Sequence, residues 1–190
     1  MNIQESVLNS YTENKFGSKY ISHYGIRTQR LREMIDWYKT FFSAKVQYEA
    51  DFGVFMTFDE EHHRLVIWTD EETREKPDNI AGVDHIGIGL PNFGVLVENY
   101  ERLKAAGITP VLPVNHRFTT SLYYKDPDGN EVELSVDNFP SKEACSEFVR
   151  SQQMAEILAP PFGDIFDPDE LARRYHEGAS QEELARIGIP

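Results

Sequence analysis

The spacing of hydrophobic positions changes period twice in the first part of the chain and twice again in the second. In "REMIDWYKTFFSA", with Leu31 before it, Leu31, Met34, Ile35, Tyr38 and Phe42 recur at intervals of three and four. That spacing puts them on one face of a helix. Three short runs follow, "AKVQYEA", "GVFMTFD" and "RLVIWTD", each of strand type. A second helix is predicted over "GVLVENYERLKAA", with Leu96, Tyr100 and Leu103 on its face. Behind it come "ITPVLPV", "TSLYYKD" and "EVELSVD". "DPDGN", Asp126 to Asn130, is a turn signal between the last two runs, and "DEEHH" holds the matching place in the first part.

Each helix is also preceded by a short run, "ISHYGI" or "VDHIGI". Superposed, they match His23 with His85, Gly25 with Gly87 and Ile26 with Ile88. The same shift lays Tyr38 on Tyr100, Asp36 on Glu98 and Ala44 on Ala106. The chain therefore contains a repeat of strand, helix and three strands. One such unit cannot close a core alone. The expected fold is α+β: two paired units curled into one mixed sheet around a shared cleft, lined by each unit's first and last strands.

The expected division is a module over about 20–75 and a second over about 82–138, forming one domain at 20–138. Residues 1–19 form an N-terminal extension and 139–190 a helical C-terminal one. In that last part Ser141 reads as an N-cap, "DPDELARRYHEG" has an Asp cap, an early Pro and a Gly stop, and Ser180 with Glu183 forms a capping box. "APPFGDIF" reads as a break between helices. "GIGLPNFG" lacks the spacing of a phosphate loop.

Composition narrows the partners. A formal charge of −13 and a pI near 4.8 argue against nucleic acid and against an anionic membrane, and favour attraction of metal cations. A single cysteine, Cys145, rules out an intrachain disulfide. No apolar run approaches the roughly 20 residues of a membrane helix, and the first residues lack a signal-peptide core. A cytoplasmic protein is expected.

The repeat also points to chemistry. Aligned on their turns, the last strands set Glu133 opposite Val66, so the four cleft positions are His23, Val66, His85 and Glu133. Two imidazoles and one carboxylate on one face of a metal leave the other face open, as in Fe(II) enzymes that bind substrate and dioxygen together. Val66 makes the fourth position non-coordinating. The alternative is a pair of core histidines satisfied by neighbours and a carboxylate exposed by the pleat.

On the βαβββ repeat and the stretches "HHRLVI", "VDHIGIGL" and "YYKDPDGNEVEL", the chain resembles the vicinal oxygen chelate (glyoxalase/bleomycin resistance/dioxygenase) superfamily over about residues 20–138. Within it the sequence is most similar to type I extradiol dioxygenases, which open catechol rings. The resemblance implies a metal held by His23, His85 and Glu133, Fe(II) with Mn(II) as the alternative. It implies that His63, second of the "HH" pair, is the acid–base residue of ring opening, and His62 structural. His116 matches a histidine that hydrogen-bonds the substrate hydroxyl, and Tyr123 a tyrosine near the substrate. The implied reaction is extradiol-type cleavage of a catechol-like diol by O2, in a homo-oligomer. Other readings the superfamily allows are a metal-dependent isomerase, epimerase or lyase, and a protein that binds aromatic compounds. Larger extradiol enzymes have four modules, and here there are two. Strand parity sets His63, three residues before Val66, on the opposite face unless the hairpin end is irregular. His176 reads as a surface residue without partners.

Overall fold

A computed structural model of the chain describes residues 21–77, 80–157 and 162–190. The expected N-terminal extension lies outside the described residues. The first half contains β1 (Tyr24–Arg27), α1 (Leu31–Phe42), β2 (Lys45–Ala50), β3 (Gly53–Thr57) and β4 (Leu65–Trp68). The second contains β5 (His85–Gly89), α2 (Phe93–Ala105), β6 (Leu112–Asn115), β7 (Thr119–Lys125) and β8 (Glu131–Asp137). Both are strand, helix and three strands, as the repeat predicts.

The strand orders are β1-β4-β3-β2 and β5-β8-β7-β6, with β9 (Asp164–Ile165) added to the second. In each half the first strand lies parallel to the last. The registers coincide: Gly25 pairs with Val66 and Val66 with Phe55, while Gly87 pairs with Glu133 and Glu133 with Tyr123. The predicted equivalence of Val66 and Glu133 therefore holds residue for residue.

One expectation is corrected. The halves form two sheets, not one curled sheet. The inner edges, β1 and β5, face each other across a cavity of about 510 Å³ lined by Tyr24, Gly25 and Arg27 on one side and His85, Ile86 and Gly87 on the other. Among the described residues no ladder joins them. The physical reason is that the apolar surface lies behind the sheets, and the halves are joined there.

The joint is built on α1. Met34, Ile35, Tyr38 and Phe41 are buried on it, while Leu31 and Phe42 are only partly so. The apolar face is wider than the predicted stripe because it meets both halves. The Phe41 ring meets Tyr124 edge-on at 5.1 Å, and Tyr38 Oη donates to Asp126 Oδ2 at 3.0 Å. Arg30 Nη1 donates to the Pro127 carbonyl at 2.6 Å, and Arg102 of α2 donates to the carbonyl of Phe41 at 2.7 Å. On α2, Phe93, Leu96, Val97, Tyr100 and Leu103 are buried. One hydrophobic cluster runs through both halves.

β2 is the outer strand of the first sheet. It is exposed along most of its length, and its pairing with β3 slips between Val46 and Tyr48.

The C-terminal part is helical as predicted. It contains α3 (Lys142–Val149), a 3₁₀ turn at Gln152–Ile157, α4 (Pro168–His176) and α5 (Gln181–Leu184). Ser141 and Asp167 accept the expected capping bonds, and the Ser180–Glu183 capping box is formed. Tyr100 Oη of α2 donates to Asp169 of α4 at 2.7 Å. His176 is exposed but not alone: its Nε2 lies 2.8 Å from Glu101 Oε1. The predicted break "APPFGDIF" hides β9, antiparallel to β6. No helix among the described residues is long and apolar enough to cross a membrane.

Candidate active site

The second sheet brings four of the predicted residues together. His85 opens β5, and Glu133 stands on the neighbouring strand β8, level with Gly87. His85 Nε2 faces Glu133 Oε2 at 3.3 Å. The glycine makes this possible. A Cβ at Gly87 would come within 2.8 Å of Glu133 Oε2, so the carboxylate lies over bare backbone. The other ring nitrogen, His85 Nδ1, is 2.8 Å from Asp84 Oδ2. That contact fixes the ring and leaves Nε2 directed at Glu133.

Tyr123 of β7 is the cross-strand neighbour of Glu133, and its ring meets the edge of His85 at 5.2 Å. Burial raises its hydroxyl pKa above the ordinary range, and the Glu133 charge and a hydrogen bond to that carboxylate raise it further. Tyr123 Oη also lies 3.0 Å from His116 Nε2. His116 sits in the β6–β7 turn, where Arg117 has φ 70°. Buried Asn115 organises that turn, accepting from the Arg117 backbone N–H at 2.8 Å. Tyr124 faces the opposite side and is buried against Phe41, as its parity requires.

The remaining predicted residues gather on the first sheet. His23 stands one residue before β1, and its ring lies 4.6 Å from that of His63. His63 stacks on Phe55 at 5.1 Å. Because Phe55 is the cross-strand neighbour of Val66, His63 reaches the Val66 face. The segment before β4 is irregular, since Leu65 is the first residue of the strand, and simple parity does not apply there. Desolvation lowers the His63 pKa from its ordinary value, and nearby His62 and His23 lower it further. His62 is exposed and its Nε2 lies 3.2 Å from Glu61. Arg64 donates to the carbonyls of Ile21 and Ser22, which holds the backbone leading into His23 beside this row of rings.

The donor set thus divides. His85 and Glu133 converge, and His23 is held with His63. Among the described residues no three His, Cys, Asp or Glu side chains come together as a metal cage. The converging pair itself fits a metal. Two donors each about 2.0–2.2 Å from one ion lie about 3 Å apart, and a carboxylate behind the ligating histidine is the usual support.

A model of the Glyoxalase/Bleomycin resistance protein/Dioxygenase superfamily matches residues 20–134. The chain belongs to this superfamily. Its similarity to other superfamily proteins extends beyond the matched region. Biphenyl-2,3-diol 1,2-dioxygenase 3 of Rhodococcus globerulus is 36% identical over 166 residues, covering 86% of each chain. Biphenyl-2,3-diol 1,2-dioxygenase 2 of the same organism is 41% identical over 149 residues, covering 77% of this chain and 76% of that one. Among solved structures, a glyoxylase/bleomycin resistance protein/dioxygenase domain from Frankia sp. EAN1pec superposes with a TM-score of 0.55 at 18% identity, covering 66% of this chain and 96% of the other. The lactoylglutathione lyase of Agrobacterium tumefaciens gives 0.52 at 19%, covering 63% and 95%. At that identity the two structures speak for the superfamily fold alone.

Sequence reasoning missed Gly87, Asp84, Arg64 and Asn115. Gly87 and Asp84 belong to "VDHIGI", and Arg64 follows the histidine pair. Their signal was nearness in sequence to the predicted site residues His85, His63 and His116.

Proposed function

We propose that the chain is an extradiol-type dioxygenase that opens a catechol-like aromatic diol with O2, using Fe(II), with Mn(II) as the alternative. The observation that carries this reading is the His85–Glu133 pair at 3.3 Å, backed by Asp84, in a chain 36–41% identical to two biphenyl-2,3-diol 1,2-dioxygenases. His85 and Glu133 hold the metal, and His23 is the third ligand. The support for His23 is the repeat, since it precedes Gly25 by the same two positions that separate His85 from Gly87. Val66, the counterpart of Glu133, leaves the fourth position open. When bound, the metal supplies a centre at which diol and O2 meet and exchange electrons.

The chain's own residues handle the protons. Tyr123 Oη receives the proton of a diol hydroxyl as its own proton, turned from the Glu133 carboxylate toward His116, passes to Nε2, 3.0 Å away. His63 serves as the acid–base group of ring opening, and a pKa below its ordinary value keeps its imidazole neutral and able to accept a proton at pH 7. A C–C bond beside the diol breaks, and both oxygen atoms enter the product.

The test is oxygen uptake by anaerobically purified, Fe(II)-loaded protein on biphenyl-2,3-diol and catechol. The expected result is one O2 consumed per diol opened. Turnover without O2 uptake, or none with either Fe(II) or Mn(II), overturns the reading.

A further inference from the structure

The described C-terminal residues do more than pack against the domain. β9 adds a fifth strand at the β6 edge, pairing Val114 with Ile165 and Asn115 with Asp164. The pairing is reinforced on both sides. Arg117 Nε donates to Asp164 Oδ2 at 3.0 Å, and buried Asn115 Nδ2 donates to the carbonyls of Ala185 and Ile187 at 2.9 and 2.8 Å. Just ahead of β9 the chain turns through Phe162, φ 60°, and Gly163, φ 151°. This turn carries the Phe162 carbonyl to His116 Nδ1, at 2.5 Å.

A carbonyl oxygen only accepts hydrogen bonds. His116 must therefore carry its proton on Nδ1. In the neutral ring Nε2 is then a bare acceptor, and Nε2 is the atom that faces Tyr123 Oη. Without the Phe162 carbonyl, the opposite tautomer is equally open to His116. Its Nε2 would then be a donor and could take no proton from Tyr123.

We propose that this C-terminal segment is a working part of the site. The Phe162 carbonyl sets the His116 tautomer, and Gly163 is the positioning residue that lets that carbonyl reach the ring. Gly163 is needed because a Cβ there would lie 2.3 Å from the Asn115 carbonyl oxygen, and because its backbone lies in a region that side chains rarely adopt. In chemical terms the segment makes Nε2 a proton acceptor. A diol proton passes to Tyr123 Oη, the Tyr123 proton passes to Nε2, and the resulting imidazolium is held by the same carbonyl. That consequence rests on the ring-cleavage reading. The tautomer does not.

The experiment is side-chain ¹⁵N–¹H correlation NMR of the full chain freed of paramagnetic metal. His116 is identified among the six histidines by the signal lost in His116→Gln. Wild type is expected to show a protonated Nδ1 and an imine-type Nε2. Phe162→Ala keeps the carbonyl and should keep that signature, whereas Gly163→Ala should lose it through mixed or reversed tautomers. On the Fe(II)-loaded enzyme, Gly163→Ala should lower kcat for the diol about 10–100-fold, the usual cost of removing an orienting partner, with KM little changed. An Nε2–H tautomer in wild type, or an unaltered signature in folded Gly163→Ala, overturns the inference. The expected tautomer in a protein that consumes no O2 leaves the inference standing and defeats the dioxygenase reading instead.

Discussion

Glu133 occupies the space above Gly87 that a side chain would fill: a Cβ there would stand 2.8 Å from the carboxylate Oε2. Gly87→Ala is therefore expected to push the carboxylate off His85 while leaving the strand paired. Metal affinity should fall about 10–100-fold, comparable to loss of an orienting contact, with little change in Tm. Metal titration beside thermal unfolding checks this. Unchanged affinity would show that the Glu133 position over Gly87 is unimportant for the metal.

Asp84 and Ser22 occupy equivalent places in the repeat and treat their histidines differently. Asp84 Oδ2 is 2.8 Å from His85 Nδ1, while Ser22 Oγ is 3.3 Å from His23 Nδ1. Asp84→Ala should weaken metal binding about 10–100-fold, and Ser22→Ala far less. Equal effects would mean that the carboxylate contributes nothing special to His85.

The two adjacent histidines should separate cleanly in kinetics. His63 stacks on Phe55 and meets the His23 ring at a tilt, and His62 is exposed. His63→Ala is expected to keep the metal and lose about 10²–10⁴-fold in rate, and His62→Ala should stay within the same order as wild type. A dead His62→Ala with an active His63→Ala would reverse the assignment.

The joint between the halves should be visible in stability. Asp126 Oδ2 accepts from Tyr38 Oη and Asn130 Nδ2, and Oδ1 accepts from the backbone N–H groups of Asp128 and Asn130. Removing the carboxyl strands buried donors, so Asp126→Ala should cost about 1–3 kcal/mol. Burial raises the folded Asp126 pKa above its ordinary 3.8, and its hydrogen bonds only partly offset this. A raised folded pKa means the group's contribution is complete below 3.8 and is lost as pH rises through the folded value. The gap in unfolding free energy between wild type and Asp126→Ala should therefore narrow as pH climbs from about 4. A widening gap would contradict the buried, charge-disfavouring setting.

The element order and cleft register were readable because they depend on local period and on a repeat. Gly25 and Gly87 were aligned by the run repeated before each helix, and Val66 and Glu133 by turns that the chain forms locally. The split into two sheets was not readable. It depends on Phe41 meeting Tyr124 and Tyr38 meeting Asp126, contacts between halves that no local spacing encodes. The position of His63 escaped parity because the bend before β4 resets the alternation. β9 escaped because two residues carry no period; only the β6 edge makes them a strand. His116, Tyr123, His85 and Glu133 fell together because three of them are tied to strands whose register the repeat defines.

The slip in β2 has a consequence for how this molecule keeps company. An outer strand with open backbone groups is a template on which another chain can add itself. Here the offset between Val46 and Tyr48 breaks the even row of donors and acceptors, and Lys45 and Glu49 set charge along the same rim. The opposite rim, at β6, is already taken by β9. Copies of this protein are thus discouraged from joining through these two outer rims into a continuous ribbon.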